Sequence, residues 1–141
     1  MPPKPNPNNV TIVLYRPGAP ENIGAAARAV RNMGIGGLIV VEPYNYDVTR
    51  IRKMATHEAS DIVEHIKVET SLQEALAPFH YVVGTTARIG RQRKDIVSPN
   101  QIAPHIAELS ADNRTAFLFG PGDRGLTNEN LRLCHALVNI P

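Results

Sequence analysis

The chain has 141 residues, with an apolar fraction of 43% and a charged fraction of 20%. These values are typical of one soluble globular domain. We find no apolar run long enough to span a bilayer and no apolar stretch typical of a signal peptide, and a single cysteine, Cys134, excludes a disulfide framework. The formal charge of +2 is only a weak indication of nucleic-acid binding. We therefore expect a cytoplasmic protein.

Residues 1–9 contain four of the twelve prolines, and this composition predicts a flexible arm before a folded domain at residues 10–141. In that domain short apolar runs alternate with helical patterns, which is typical of an α/β fold with a mainly parallel sheet. About six strands with helices on both faces are expected. The predicted strands are Val10–Tyr15, Leu38–Val41, Ile66–Val68, His80–Gly84, Thr115–Phe119 and Ala136–Ile140.

The helices are predicted from apolar stripes and capping residues. Ile23, Ala27 and Val30 form a stripe with helical spacing, which predicts a helix over residues 22–33. Capping residues mark where this helix and three others begin or end. They are Asn22 and Gly34 at the two ends of the first helix, Ser71, Ser98, and Thr127 for a last helix through Leu133.

Ligands of open α/β folds bind at the carboxyl ends of the strands, so the loops after the strands are the candidate sites. In the first, a rigid loop leads to Asn22 and to Arg28. Arg28 is interpreted either as an exposed residue of a tightly packed helix or as a phosphate or ribose contact. After the predicted strand His80–Gly84, small residues precede a basic run. This order favours polyanion binding over a plain solvated loop.

Other polar clusters carry weaker signals. The basic stretch at Arg50 to Lys53 is interpreted as surface. His57, Asp61 and His65 would share a helix face, but a solvated face is favoured over a metal site, and no metal is expected. Cys134 is interpreted as a packed thiol. The glycines between Gly120 and Gly125 match neither a Walker A loop nor a dinucleotide fingerprint.

Three motifs in this order carry a family resemblance. They are Asn22–Ala29, Gly84–Arg88 and the segment Phe119–Asn128, which continues to Ile140 and Pro141. Together they resemble the SpoU/TrmH family of RNA 2′-O-ribose methyltransferases, in the SPOUT superfamily of knotted S-adenosylmethionine enzymes. The resemblance covers nearly everything from Val10 to Pro141 and is strongest to the TrmJ branch, which methylates nucleotide 32 of the tRNA anticodon loop.

The resemblance implies roles for individual residues, a cytoplasmic homodimer, RNA (tRNA first) as substrate, and S-adenosylmethionine as the cofactor without a metal. Arg28 would be the catalytic arginine, positioned with the help of Asn22. The guanidinium keeps its proton in proteins, so we expect Arg28 to bind a phosphate and stabilise the developing alkoxide; a role as base, assisted by a phosphate, stays open. The implied cofactor residues are Thr85, Thr86, Ala87, Gly120 and Ile140, and the implied RNA-phosphate residues are Arg16, Arg88, Arg91 and Arg93.

Two positions depart from the family pattern. Gly122 stands where the family usually has an acidic residue, and Asp123 follows one place later. The sequence also ends at Pro141, before the Ser-Leu-Asn loop and final helix that complete the family's knot and dimer interface. The chain is therefore expected to lack its knot segment, which puts its cofactor binding in question.

Three hypotheses follow. The first is an RNA 2′-O-methyltransferase domain acting on tRNA, or on ribosomal RNA as close relatives do. The second is a catalytically silent RNA-binding or interaction module with a SPOUT-like sheet. The third is a generic Rossmann-like nucleotide binder, for which Glu42 would be the acidic ribose-binding residue after the second strand.

Overall fold

The fold is built on a parallel sheet, and a computed structural model describes residues 6–86, 96–97, 107–108, 110–121 and 125–139. Its strands are β1 (Val10–Tyr15), β2 (Gly37–Val41), β3 (Lys67–Glu69), β4 (Tyr81–Thr86), β5 (Ile96–Val97), β6 (Thr115–Phe119) and β7 (Ala136–Asn139). Its helices with fully described bounds are α1 (Pro20–Met33), α2 (Val48–Ala55), α3 (Ser60–Glu64), α4 (Leu72–Leu76) and α5 (Asn128–Leu131), with 3-10 turns at Pro7–Asn9 and His57–Ala59. The described residues 107–108 and 110–112 are also helical.

The seven described strands lie in the order β3-β2-β1-β6-β4-β7-β5, and every neighbouring pair is parallel. A parallel sheet needs helices on both faces to cover its apolar strands. One face packs against α1, α2 and α3 around Ile23, Val30 and Ile51, and the other packs against α4 and α5 around Leu76 and Leu131. The predicted fold class, a mainly parallel α/β sheet with helices on both faces, is confirmed.

Helix α1 begins two residues earlier than predicted. Its N-cap is Ala19 and Pro20 is its first residue, so the expectation that Asn22 caps the helix is wrong. Proline is favoured at this position because its fixed φ suits the first turn and its missing N–H is not needed there. The predicted C-cap at Gly34 is confirmed, with a φ of 68° and an N–H bonded to the carbonyls of Arg31 and Val30.

The six predicted strands are all present, with ends that differ by at most two residues. The largest difference is β4, which continues through Thr86, so that Thr85 and Thr86 belong to the strand instead of the loop after it. β-branched threonines suit a pleated strand, and register with β7 extends to Thr86. β5 was not predicted, because two residues beside a basic run give no periodic pattern.

Two predicted caps are confirmed. Ser71 Oγ accepts a hydrogen bond from the Glu74 backbone N–H at 3.3 Å. Thr127 and Asn130 form a capping box, although α5 ends at Leu131 instead of Leu133. The expected capping box at Ser98 lies outside the described residues.

Residues 6–9, predicted as the end of a flexible arm, form a turn that is tied to the domain. The backbone N–H of Asn6 donates to Ser110 Oγ at 3.2 Å, and the Asn9 side chain donates to the Ser110 carbonyl at 2.7 Å. The Pro7 carbonyl also accepts from the Gly36 N–H at 2.8 Å. The ordered fold therefore begins before Val10. Within the described residues, none of the helices has the length and apolar character needed to cross a membrane.

Candidate active site

The carboxyl ends of all the described strands meet at one edge of the sheet, because every pair is parallel. In the registered pairs, Thr85 of β4 lies beside Val138 of β7, and Thr86 lies beside Asn139. β6 flanks β4 on its other side and leads directly into Gly120. Three of the five predicted cofactor residues, Thr85, Thr86 and Gly120, are therefore placed together at this edge.

The end of β4 is buried and closely packed. Thr85 and Thr86 are 8% and 7% exposed, and Thr85 Oγ1 donates a hydrogen bond of 3.0 Å to the Leu118 carbonyl of β6. Because this bond occupies the Thr85 hydroxyl, the backbone at the strand end is the candidate group for contact with a ligand. Just before Thr85 on β4, a Cβ on Gly84 would lie 2.6 Å from Cys134 Sγ. Cys134 is 2% exposed, which confirms that it is a packed thiol.

Gly120 forms part of a tight turn. A Cβ placed on Gly120 would lie 2.6 Å from the Gly125 carbonyl carbon and 2.7 Å from the Leu126 nitrogen. Gly125 has a φ of 67°, in the left-handed region that favours glycine, and its N–H donates to the Pro121 carbonyl at 2.6 Å. The two glycines thus keep the turn after β6 narrow and its backbone accessible from the sheet edge.

The polar groups of this edge fit a purine nucleoside. Asn139 ends β7 beside Thr86, and its Oδ1 is buried with no hydrogen-bond partner among the described residues. A buried acceptor without a partner costs free energy, and the exocyclic amine of an adenine would satisfy it. The glycine turn after β6 lies across β4 from it, at the same edge of the sheet. S-adenosylmethionine carries such an adenine, so the residues present fit that cofactor.

The two predicted catalytic residues lie on α1, and both are exposed. Asn22 is in the first turn, next to the carboxyl edge of the sheet, and Arg28 is the ninth residue of the helix. Arg28 therefore lies about 12 Å along the helix axis from Pro20. Among the described residues, no hydrogen bond or ion pair joins Arg28 to Thr85 or Gly120.

A second polar feature lies where β1 and β2 end. An ion pair of 3.5 Å joins Arg16 Nη2 to Glu42 Oε1, and the Arg16 guanidinium lies 5.3 Å from the centre of the Tyr15 ring. The neighbouring Tyr15 and then Glu42 raise the pKa of Arg16, so its charge is maintained. Arg16 stays a predicted RNA contact, but a phosphate would compete there with the Glu42 carboxylate.

The other polar clusters form ion pairs on the protein surface. Arg50, Arg52 and Lys53 are exposed, as predicted for a surface stretch, and Arg50 holds both Glu21 oxygens at 2.7 and 2.8 Å. These bonds lower the pKa of Glu21. Asp61 pairs with Arg31. The described residues contain no group of three or more metal-ligating side chains.

Several predicted residues fall outside the described part of the chain. Their roles stay predictions. They are Ala87 and Ile140 for the cofactor, Arg88, Arg91 and Arg93 for RNA, and Gly122 and Asp123 at the position where the family pattern is broken.

Sequence reasoning missed the cleft that contains the Arg16–Glu42 pair. Arg16 and Glu42 each have a positive φ, 50° and 47°. No sequence pattern predicts a left-handed backbone conformation at an arginine or a glutamate, since glycine and asparagine are the residues that usually indicate it. The available signal was positional: both residues directly follow a buried strand, where a charged side chain is placed at the ligand-binding edge.

Comparison with known proteins gives a consistent result. The SpoU rRNA Methylase family matches residues 9–141. The uncharacterized tRNA/rRNA methyltransferase LasT of Escherichia coli K12 is 38% identical over 94% of this chain and 58% of its own length. The tRNA (cytidine/uridine/adenosine-2′-O-)-methyltransferase TrmJ of Pseudomonas aeruginosa is 36% identical over 95% of this chain and 52% of its own length.

The fold agrees with these matches. The crystal structure of TrmJ from Z. mobilis superposes with a TM-score of 0.84 at 31% identity, covering 93% of this chain and 58% of that one. The chain thus spans a little over half the length of the relatives it matches. Because the family match extends over the whole sheet and all three motifs, the chain belongs to the SpoU rRNA methylase family.

Proposed function

We propose that this protein transfers a methyl group from S-adenosylmethionine to a ribose 2′-hydroxyl of tRNA. The observation that carries the proposal is the convergence of Thr85, Thr86 and the Gly120 turn at one edge of a sheet that matches the SpoU family throughout. Relatives named as tRNA 2′-O-methyltransferases, at 36% identity for the Pseudomonas protein, support tRNA as the substrate.

The proposed cofactor residues would hold the cofactor through backbone groups. Thr85 Oγ1 is already bonded to Leu118, so the backbone at the ends of β4 and β6 provides the remaining donors and acceptors. Asn139 Oδ1 is the buried side-chain acceptor for the adenine amine. Ala87 and Ile140, which continue β4 and β7 in sequence, are proposed to complete this set.

S-adenosylmethionine, when bound, supplies a methyl group on a positively charged sulfur, which needs no metal for transfer. The protein must then align the 2′-oxygen with that methyl carbon and stabilise the charge that develops on the oxygen as its proton leaves. We assign this task to Arg28, whose fork of donors can bind the adjacent phosphate and the oxygen together. Asn22, at the edge end of α1, is proposed to orient the RNA beside it.

Because no hydrogen bond or ion pair among the described residues joins Arg28 to Gly120, the RNA is proposed to connect them. A nucleotide that reaches from the exposed face of α1 to the carboxyl edge would present its ribose to the cofactor and its phosphate to Arg28. Arg88, Arg91 and Arg93 follow β4 in sequence and are proposed to bind further phosphates of the same strand.

The test is replacement of Arg28. Arg28→Ala should lower methyl transfer to tRNA by at least about a hundredfold, because a donor aimed at the developing charge is removed. Its affinity for S-adenosylmethionine, measured by calorimetric titration, should stay within about twofold, since the residue lies away from the cofactor edge. Arg132→Ala, directly after α5 on the opposite face of the sheet, is the matched control and should keep wild-type activity.

The results separate the candidate functions. Loss of both activity and cofactor binding in Arg28→Ala would show a structural role. A wild-type protein that binds RNA but neither binds nor uses S-adenosylmethionine would instead be the silent RNA-binding module, and the break in the family pattern at Gly122 favours that second candidate.

The finer assignments belong to the same proposal. Nucleotide 32 of the anticodon loop is the proposed target, and mass mapping of methylated tRNA would locate it. A tRNA substrate is consistent with a cytoplasmic location. A homodimer is proposed from the family resemblance, and sedimentation equilibrium would measure it.

A further inference from the structure

A cleft of about 540 Å³ opens at the carboxyl edge beyond the proposed cofactor residues. One wall is formed by the ends of β1 and β2, with Tyr15, Arg16 and Glu42, and by Tyr44 just after β2. The facing wall is formed by the segment before and within α4, by Pro121 and Gly125 of the glycine turn, and by the start of α5. Through Pro121 and Gly125, the cleft therefore borders the turn that follows Gly120 of the proposed cofactor site.

The backbone at the cleft is held in an unfavourable conformation by the sheet. Arg16 and Glu42 have φ values of 50° and 47°, which non-glycine residues rarely adopt. Each is fixed by a bond to the neighbouring strand: the Arg16 N–H donates to the Val41 carbonyl at 2.8 Å, and the Glu42 N–H donates to the Glu69 carbonyl at 2.9 Å. Such strain persists mainly where it serves binding or catalysis. Here it brings Arg16 and Glu42 together in the wall of the cleft.

The charges of the cleft decide what it can bind. Arg16 is ion-paired with Glu42, and Glu129 adds a second carboxylate to the lining. Among the described residues, the lining therefore has one cation and two anions, a balance that disfavours a phosphate. Its aromatic groups suit a flat ring instead: Tyr44 is 67% exposed, and Tyr15 carries the Arg16 guanidinium over its face. Unpaired bases stack on aromatic side chains and on arginine planes.

We infer that this cleft binds the base of one unpaired nucleotide of the RNA, stacked on Tyr44 with its amino group donating to Glu42. The inference rests on the proposed function, since it assigns a base-recognition pocket to the same substrate. Carboxylates accept from the cytosine amino group, whereas uracil presents a carbonyl oxygen at the same position. The cleft therefore favours cytosine over uracil.

The probe is a short single-stranded oligocytidylate, compared with oligouridylate of equal length, with binding followed by fluorescence anisotropy in the absence of cofactor. Tyr44→Ala should weaken oligocytidylate binding by about tenfold, since one stacked base is lost. The slope of affinity against salt should stay unchanged, because no phosphate contact is removed. Tyr44→Phe keeps the ring and should bind like the wild type.

Two further variants complete the test. Val48, like Tyr44, is an exposed apolar residue, but it lies outside the cleft. Val48→Ala should therefore leave binding unchanged. Glu42→Gln should reduce the preference for oligocytidylate over oligouridylate. Circular dichroism of each variant checks that it is folded. The Tyr44 variants are expected to fold because this side chain is on the surface.

The inference is overturned if Tyr44→Ala binds like the wild type, if the wild type shows no preference between the two oligonucleotides, or if the loss is accompanied by a smaller salt slope, which would indicate a phosphate contact. Methyl transfer to tRNA is measured separately. If the wild type methylates tRNA but Tyr44→Ala binds oligocytidylate equally well, the cleft assignment is refuted and the proposed function stands. If binding depends on Tyr44 but the wild type does not methylate tRNA, the proposed function is refuted and the cleft assignment stands.

Discussion

Gly120 shows how a single residue can determine the shape of the candidate site. The turn after β6 brings the backbones of Gly120, Gly125 and Leu126 so close that the space a Cβ would need is already filled by main-chain atoms. Main-chain atoms cannot rotate away as the end of a flexible side chain can. The requirement for glycine therefore comes from the turn itself and holds whether or not a ligand is bound.

Gly120→Ala should lower the free energy of unfolding by about 1–3 kcal/mol, the usual cost of forcing an extra group into a packed site. It should also weaken S-adenosylmethionine binding, because the turn must open toward the proposed cofactor. Chemical denaturation and calorimetric titration measure the two effects. Gly18→Ala is the control, since a Cβ at Gly18 meets nothing within 4 Å and the change should be nearly neutral. A Gly120→Ala protein as stable as the wild type would contradict the close backbone contacts of this turn.

The residues of the site differ in how far sequence could assign them. Thr85, Thr86 and Gly120 were assigned through the family resemblance, and the parallel register explains why residues so far apart in the chain meet. Asn139 was not singled out, because its importance comes from an unpartnered Oδ1 that only tertiary structure reveals. The pairing of Arg16 with Glu42 was missed for the same reason: it depends on the backbone φ at two strand ends.

At the scale of the elements, the close approach of α1 and α2 positions the helix that carries Asn22 and Arg28. A Cβ on Gly24 would lie 2.4 Å from the Ile51 carbonyl oxygen and 2.9 Å from the Ala55 nitrogen. Glycine inside a helix is otherwise unfavourable by about 1 kcal/mol relative to alanine. Its presence in α1 is explained by the backbone of α2, which lies directly against it.

Gly24→Ala should lower the free energy of unfolding. The new Cβ would clash with main-chain atoms of α2 at a cost of about 1–3 kcal/mol, which outweighs the gain in helix propensity. It should also lower methyl transfer more than S-adenosylmethionine affinity, since α1 would shift relative to the sheet edge. Thermal denaturation measures the loss of stability. Calorimetric titration with S-adenosylmethionine and the tRNA methylation assay measure the other two effects. The matched control is Gly37→Ala in β2, where a Cβ would make only ordinary contacts with Thr11 at 3.9 and 4.0 Å. Equal stability of Gly24→Ala and Gly37→Ala would refute this account of the helix pair.

Most of the elements could be predicted because their residues form continuous apolar runs or clear stripes. β1 and β6 match their predicted bounds because each is a mainly apolar run with turn residues or polar residues on both sides. The start of α1 was misplaced because Pro20 and Asn22 are both favoured near a helix N-terminus, and sequence alone does not rank them. β5 could not be found because its two residues are defined only by pairing with β7.

At the scale of the whole molecule, the two cores share one sheet, so they should unfold together. Small single domains usually lose all of their structure in one transition. The single cysteine reports on this directly, since Cys134 is 2% exposed and packs against Gly84 of β4, the neighbour of the central strand β6.

Cys134 should react with a thiol reagent at a negligible rate in the native protein and at the full rate in denaturant, because only unfolding exposes it. Labelling across a denaturant series should follow the loss of circular dichroism. Gly24→Ala, on the other face of the sheet, should increase the labelling rate if the two cores are coupled. Fast labelling of the native protein, or labelling that is insensitive to Gly24→Ala, would show that the faces open separately.

The position of β6 has a consequence for synthesis on the ribosome. β1, β2 and β3 pair among themselves, as do β4, β7 and β5, and β6 is the strand that joins the two sets. The nascent chain must therefore emerge through Phe119 before β1 gains its second neighbour. Until then, the open edge of β1 exposes backbone groups that can pair with other chains. Translation speed between β4 and β6 should thus influence the yield of correctly folded protein.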